Sequence, residues 1–373
     1  MSQGEPIRVA QVVGKMLGGG VEAVVMNYYR HIDRGKVQFD FLVDSDSTLV
    51  PREEIESLGG RVFEIPPYQH PIIYQSYLQD LFEREGWKIV HSHINALSVF
   101  PLYAAKQAGV PIRIAHSHSM SGKGEFVKNS IKYLLKTQSN RYATHRFCCS
   151  EEAGLWLFGP KNHYDVIRNA IQIEDFLFSR EKREIIRRQL GISDNAFVIG
   201  HIGRFAKQKN QQFLLKAFYQ ASSIRKDLIL ILVGEGSTRQ SCEAWCAEHG
   251  LRNNVMFLGQ REDVDSLYSA FDLFAFPSLY EGLGIVAIEA QVAGLPCLVS
   301  PAVPREAKLS SSLKYLDIDS TKKWTAAFLE VDKPPSRVIN INDFTQYDIR
   351  KASSLLCTKY FSLLSDLRSP NDN

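Results

Sequence analysis

Two glutamates, Glu281 and Glu289, stand eight positions apart in "FPSLYEGLGIVAIEA", residues 276–290. An ionised carboxylate only accepts hydrogen bonds, and the ligands richest in donor hydroxyls are sugars. Pro277 and Gly282 mark a loop, and a helix is expected to start near Gly284. That puts Glu281 on the loop and Glu289 in the early turns, at opposite sides of a helix N-terminus and roughly a dozen ångströms apart at most. Two solvated glutamates on a surface helix would leave the apolar residues around them, Leu283 and Ile285 among them, unexplained. A sugar at one carboxylate, a diphosphate at the helix amides and a ribose at the other compose a nucleotide sugar.

Other strand-end segments point to the same ligand class. "HIGRFAKQKN", 201–210, sets Gly203 and Arg204 after an apolar run and places Lys207 and Lys209 ahead of the next helix. Cations beside a helix N-terminus make a phosphate site that needs no metal. "LVGEG", 232–236, with Glu235, and "FLGQREDV", 257–264, with Arg261, end two neighbouring strands; the latter suits a flat nucleobase edge. In the first half, "GKMLGGGVE", 14–22, brings Gly19 and Gly20 to a helix start, where backbone amides can approach a phosphate or sugar. Gly20 occupies the place of the Walker A lysine, and the spacing is not that of a dinucleotide fingerprint. A plain tight turn is the other reading.

"HSH" occurs at His91–His93 and at His116–His118, after two further strands. Paired histidines are common zinc ligands, but no carboxylate or additional histidine follows at metal-ligand spacing. Hydrogen bonding to a polar ligand in an interdomain cleft suits them better, with satisfied structural histidines as the alternative for His91 and His93. "DSD", Asp44–Asp46, resembles a metal-binding acidic pair and equally ends a strand where a turn is expected; the turn is preferred. Cys242, Cys246 and His249 share a helix face but are too few for a zinc site. No metal and no cofactor is expected.

These segments need a scaffold. The 373 residues, 45% hydrophobic and 23% charged, suit two globular domains. Short apolar runs alternate with amphipathic helical patterns: "IRVAQVV" before "VEAVVMNYYRHI", "VQFDFLV" before "REEIESLG", and "FVIGHIGR" and "LILILVGEG" further on. This βαβ alternation implies two successive doubly wound parallel sheets, with a boundary near residues 165–175. No apolar run approaches the ~20 residues needed to cross a bilayer, and no secretion signal opens the chain. Six scattered cysteines fit a reducing, cytoplasmic setting, and a net charge of +3 does not imply nucleic-acid binding.

The chain resembles glycosyltransferase family 4, the retaining enzymes of GT-B fold, over nearly its whole length. The E-x7-E pair Glu281–Glu289 is the strongest part; "GRFAKQKN", "LVGEG", "GGGVE" and the terminal helix support it. The resemblance implies an α/β GT-B fold of two Rossmann-like domains with an interdomain cleft. Residues 1–168 would bind the acceptor, 169–345 the nucleotide sugar, and 346–373 would cross back to the first domain. It further implies Glu281 and His116 at the donor sugar, with His118 as substitute, Glu289 at the ribose, and Arg204 and Lys209 on the diphosphate. Gly19, Gly20, Gly203, Glu235, Arg261, Leu283, Gly284 and Ile285 complete the expected donor site. "RNAIQ", 168–172, and Leu283 in "EGLG" depart from the family's usual pattern.

The expected activity is transfer of a sugar from a nucleotide sugar, UDP favoured over GDP, to a glycan or lipid-linked acceptor with retention of configuration. A nucleotide-sugar epimerase and a non-catalytic nucleotide-sugar binder are the alternatives. Residues 121–146 carry Lys123, Lys128, Lys132, Lys136, Arg141 and Arg146 against Glu125. This basic amphipathic pattern suits an anionic membrane surface, as a peripheral contact at the inner face of the plasma membrane, or a helix packed on its own sheet.

Overall fold

A computed structural model describes residues 5–118, 135, 138, 140–332 and 336–367. The chain forms two compact units, 1–171 together with 346–373, and 172–345. In the first, strands β1 (Ile7–Gly14), β2 (Val37–Asp44), β3 (Arg61–Ile65), β4 (Ile89–Ser92), β5 (Ile112–Ser117), β6 (His145–Cys148) and β7 (Asp165–Val166) pair in the order β3-β2-β1-β4-β5-β6-β7. Every ladder is parallel. A parallel sheet is covered on both faces, so its strands are apolar along their length rather than alternating. All eight residues of β2 are buried.

Polar residues inside such a sheet need partners. Asp40, fully buried on β2, accepts from Arg8 on β1, from Arg61 Nη2 on β3 at 2.6 Å and from Trp87 Nε1 at 2.7 Å. These contacts hold its carboxyl below the usual range, although burial pushes the other way. The helix Gly20–His31 buries Val24, Val25, Met26, Tyr28 and Tyr29. Against it packs the C-terminal helix Ile349–Asp366, which adds Leu356, Tyr360 and Leu363 to the same core.

In the second unit, β8 (Phe197–Ile202), β9 (Leu228–Val233), β10 (Val255–Gly259), β11 (Leu273–Phe276), β12 (Cys297–Val299) and β13 (Leu313–Tyr315) run in the order β10-β9-β8-β11-β12-β13, again all parallel. A cluster around Phe197, Leu214, Phe218, Leu230, Trp324 and Phe328 forms its core. Buried Asp272 is gripped by Arg183 and Arg187, each at 2.6 Å.

In both sheets the strand order reverses once, between β1 and β4 and between β8 and β11. Loops leaving neighbouring strands in opposite directions open a crevice at such a point, the usual ligand position of doubly wound sheets. The turn after β8 is itself held by the loop after β9. Phe205 N–H donates to Glu235 O at 2.8 Å, and Thr238 N–H to Phe205 O at 3.2 Å. This approach requires glycine at 236, where φ is +148° and a Cβ would lie 2.2 Å from Phe205 O. Gly236→Ala should therefore cost at least about 1–3 kcal/mol in backbone strain alone. A urea titration in which its midpoint equals that of wild type would show that the two loops are not locked.

Candidate active site

At the switch point of the second unit, side chains from both loops meet. Lys207–Lys209 form a 3-10 turn, Asn210 adopts φ +58°, and the helix Gln211–Ile224 follows. Three hydrogen bonds fasten this turn to the loop after β11. Leu279 N–H donates to Gln208 O (2.7 Å), Gln208 Nε2 to Tyr280 O (2.8 Å) and Asn210 Nδ2 to Pro277 O (3.2 Å). Between them, Lys209 Nζ lies 2.7 Å from Glu281 Oε1, with side-chain exposures of 19% and 7%, and 4.8 Å from the centre of the Phe276 ring. The carboxylate is thus oriented by a fixed ammonium. Lys209 is not an unattached cation waiting for phosphate.

Arg204, by contrast, is exposed, and among the described residues its guanidinium has no partner. Beside it His201 is fully buried; its Nδ1 lies 2.9 Å from Ala275 O, and its Nε2 has no partner among the described residues. Burial lowers its pKa to about 4, so it is neutral.

The second glutamate lies where the helix was expected. Gly284 caps the helix Ile285–Val292 with φ +78°, and Glu289 sits in its second turn. The first amides of a helix have no carbonyl ahead of them and face outward with the positive end of its dipole. Leu283 is buried and Ile285 opens the helix, so both shape this end. Tyr268 O–H donates to Glu289 Oε2 at 2.6 Å. Burial raises the Glu289 carboxyl from 4.5 to about 7, opposed by that bond. Two of the other residues expected at the donor are engaged locally. Glu235 pairs with Arg239, and Arg261 with Asp263 at 2.7 Å.

In the first unit, Gly19 precedes the helix Gly20–His31, and its N–H donates to Glu22, whose carboxylate closes the turn. Among the described residues nothing lies within 4 Å of a Cβ built on Gly20. His91 and His116 lie within β4 and β5 rather than after them, and only His93 and His118 follow the strands. All four rings are buried and cluster with Gln11 and Tyr360 around one cavity. Burial drives His91, His93 and His116 far below the ordinary imidazole range and His118 to about 4. Ligand nitrogens of His91, His93 and His116 come within 4.8 Å of one another, as no other such group among the described residues does. Asp44 is buried, exposed Asp46 pairs with Lys15, and Ser45–Asp46 form a turn.

With this geometry in place, comparison with known proteins identifies the lineage. The profile described as glycosyl transferases group 1 matches residues 182–310, and that of the glycosyl transferase 4-like domain residues 19–170. A putative glycosyltransferase of Bacillus subtilis, EpsF, is 36% identical over 79% of both chains. The chain belongs to the group 1, family 4-type glycosyltransferases. A second relative is 29% identical over 60% of both chains, the Escherichia coli UDP-Gal:alpha-D-GlcNAc-diphosphoundecaprenol alpha-1,3-galactosyltransferase. The fold is GT-B. Anabaena HepE, solved with UDP and glucose, superposes with a TM-score of 0.76 at 19% identity, covering 97% of this glycosyltransferase and 100% of that chain. Sucrose-phosphate synthase of Thermosynechococcus elongatus gives 0.75 at 17% identity, covering 97% and 99%.

Sequence reasoning missed the groups that orient the glycosyltransferase's Glu289 and its histidines. Gln11 had a signal, a lone amide in the apolar run "RVAQVV"; Tyr268 and Tyr360 sit in ordinary amphipathic helices and had none. Most of the basic stretch 121–146, including Lys123, Lys128, Lys132 and Lys136, lies outside the described residues. Among the described residues no helix is long and apolar enough to cross a membrane.

The Glu289 shift has a measurable consequence. A carboxyl whose folded pKa is raised stabilises the fold below the unfolded value, near 4.5, and that contribution is lost as pH rises through about 7. Glu289→Gln cannot ionise. Its stability relative to wild type should rise by about 2 kcal/mol between pH 5 and pH 8 in urea titrations. An equal difference at both pH values would mean that the carboxyl titrates normally.

Proposed function

We propose that this glycosyltransferase moves a sugar from a UDP-sugar to a glycan or lipid-linked saccharide, with retention of configuration, in the synthesis of a cell-surface polysaccharide. The observation that carries the reading is the Lys209–Glu281 pair at the switch point, with the exposed guanidinium of Arg204 on the same strand-end turn. Glu281, held by Lys209, is an acceptor for donor-sugar hydroxyls. Glu289, with one oxygen taken by Tyr268, keeps the other for the ribose. Arg204 meets the diphosphate and stabilises the charge that grows on it as the C1–O bond breaks. The acceptor oxygen forms its bond to C1 on the same face, and its proton passes to the departing phosphate oxygen. His116 of the first unit contacts the sugar. The E. coli relative, whose name gives UDP-Gal and a diphosphoundecaprenol acceptor, supports the choice of donor and of a lipid-linked acceptor. We place the enzyme in the cytoplasm at the inner membrane face and assign the chemistry no metal.

Arg204→Ala should lower kcat/KM by the equivalent of roughly 2–4 kcal/mol, since it removes a charge needed most in the transition state. Steady-state kinetics with a UDP-sugar checks this, and wild-type turnover would remove the assignment. EDTA should leave turnover unchanged; loss restored by Mn²⁺ would replace the metal-free route.

The glutamates should separate by calorimetry. Glu281→Gln should weaken UDP-sugar binding and leave UDP binding nearly intact, whereas Glu289→Gln should weaken both. Equal losses for both ligands in both variants would contradict the division of roles.

A further inference from the structure

The four buried histidines of the first unit are joined in series. Gln11 Nε2 donates to the Tyr360 hydroxyl at 3.2 Å, that hydroxyl lies 2.7 Å from His91 Nδ1, and His91 Nε2 lies 3.0 Å from His116 Nδ1. In the other direction Gln11 Oε1 lies 2.7 Å from His93 Nε2, and His93 Nδ1 lies 2.8 Å from His118 Nε2. Gln11 and His91 are facing partners on β1 and β4, and Tyr360 arrives from the C-terminal helix.

A neutral imidazole has one donor and one acceptor nitrogen, and a phenol has one proton to give. With the phenol proton kept inside the series, one link therefore determines the rest. With the Gln11 amide as it stands, Tyr360 accepts from Gln11 and donates to His91, which donates to His116. His93 donates to Gln11, and His118 donates to His93. All four rings then carry their proton on Nε2. Turning the amide over reverses every link and moves all four protons to Nδ1. The one mixed set, in which Tyr360 accepts from both Gln11 and His91, leaves the buried phenol proton without a partner in the series.

The series has a loose end. His116 Nε2 is buried and has no partner among the described residues. At the far end His118 is hydrogen-bonded by the Asn169 side chain. A buried polar atom left unsatisfied costs about 1–3 kcal/mol, so the His116 nitrogen needs a partner beyond the described residues, and a sugar oxygen can serve. A metal held by His91, His93 and His116 would need the nitrogens that already face each other across shared protons.

We propose that Gln11, Tyr360 and His91 are positioning residues that present the Nε2 proton of His116 to an oxygen of the transferred sugar. This rests on the reading of His116 as a sugar contact. Docking of the C-terminal helix, through Tyr360, thereby sets the hydrogen-bonding sense of a side chain on β5.

The test is ¹⁵N NMR of histidine-labelled full-length protein, read beside kinetics. Wild type should show all four buried rings neutral with the proton on Nε2. Tyr360→Phe keeps the aromatic packing and removes the hydroxyl. It should give mixed tautomers at His91 and His116, leave His93 and His118 unchanged, and lower kcat/KM for a UDP-sugar about fivefold to tenfold. Its Kd for UDP alone should not change. Leu363→Ala, in the same helix and outside the series, should lose stability and keep the wild-type tautomers. Mixed tautomers in wild type, a stoichiometric divalent metal on these rings, or unchanged His116 nitrogens in Tyr360→Phe would overturn the proposal. If wild type has uniform tautomers and transfers no sugar, the transferase reading fails while the series stands.

Discussion

Lys209 and Glu281 come from loops that leave β8 and β11 in opposite directions, and their 2.7 Å contact is what makes those loops one surface. Neither group is well solvated, so each depends on the other. Removing one partner of a buried pair is far more costly than the pair is worth. The hydrogen bonds of Gln208, Leu279 and Asn210 keep the two backbones at the separation the pair needs. With that geometry set, Glu281 has one oxygen fixed and a known direction for the other, and Gly284 can begin the helix that carries Glu289.

The pair also distributes charge. Because Glu281 neutralises Lys209, the positive potential on this turn comes chiefly from Arg204 and Lys207, both exposed. A planar guanidinium with fixed donors suits a diphosphate better than a tethered ammonium does. The first unit solves the corresponding problem at its own switch point with neutral groups. There Gln11, Tyr360 and four histidines are linked in hydrogen bonds, and burial keeps the rings uncharged. One unit fixes its polar atoms by ion pairing, the other by complementary donors and acceptors.

Much of this was legible in the sequence, for physical reasons. Apolar runs such as "LILILV" separated by amphipathic helices leave few options besides parallel sheets, and ligand residues of such sheets follow the strands. The loop-to-helix change at Gly284 was readable because glycine alone takes φ +78° cheaply. What sequence could not give is pairing across loops. Lys209 and Glu281 are 72 residues apart, and Tyr360 is 349 from Gln11, so nothing local announces either contact. Arg261 looked available for a ligand because charge is visible in sequence and the Asp263 bond is not. The histidines at 91 and 116 were placed one step too late, since strand ends read from hydropathy stop where polar residues begin, while the ladder continues through them.

The first unit is assembled from both ends of the chain, residues 1–171 and 346–373, whereas the second is a single stretch, 172–345. On the ribosome, chain emerges from the N-terminus onward. The second unit can therefore complete its core while Leu356, Tyr360 and Leu363 have yet to be made, and the first unit waits for them with part of its apolar surface uncovered. In order of synthesis, the unit that starts first finishes last, and a nascent chain stopped short of residue 349 would present a finished second unit beside an open first one.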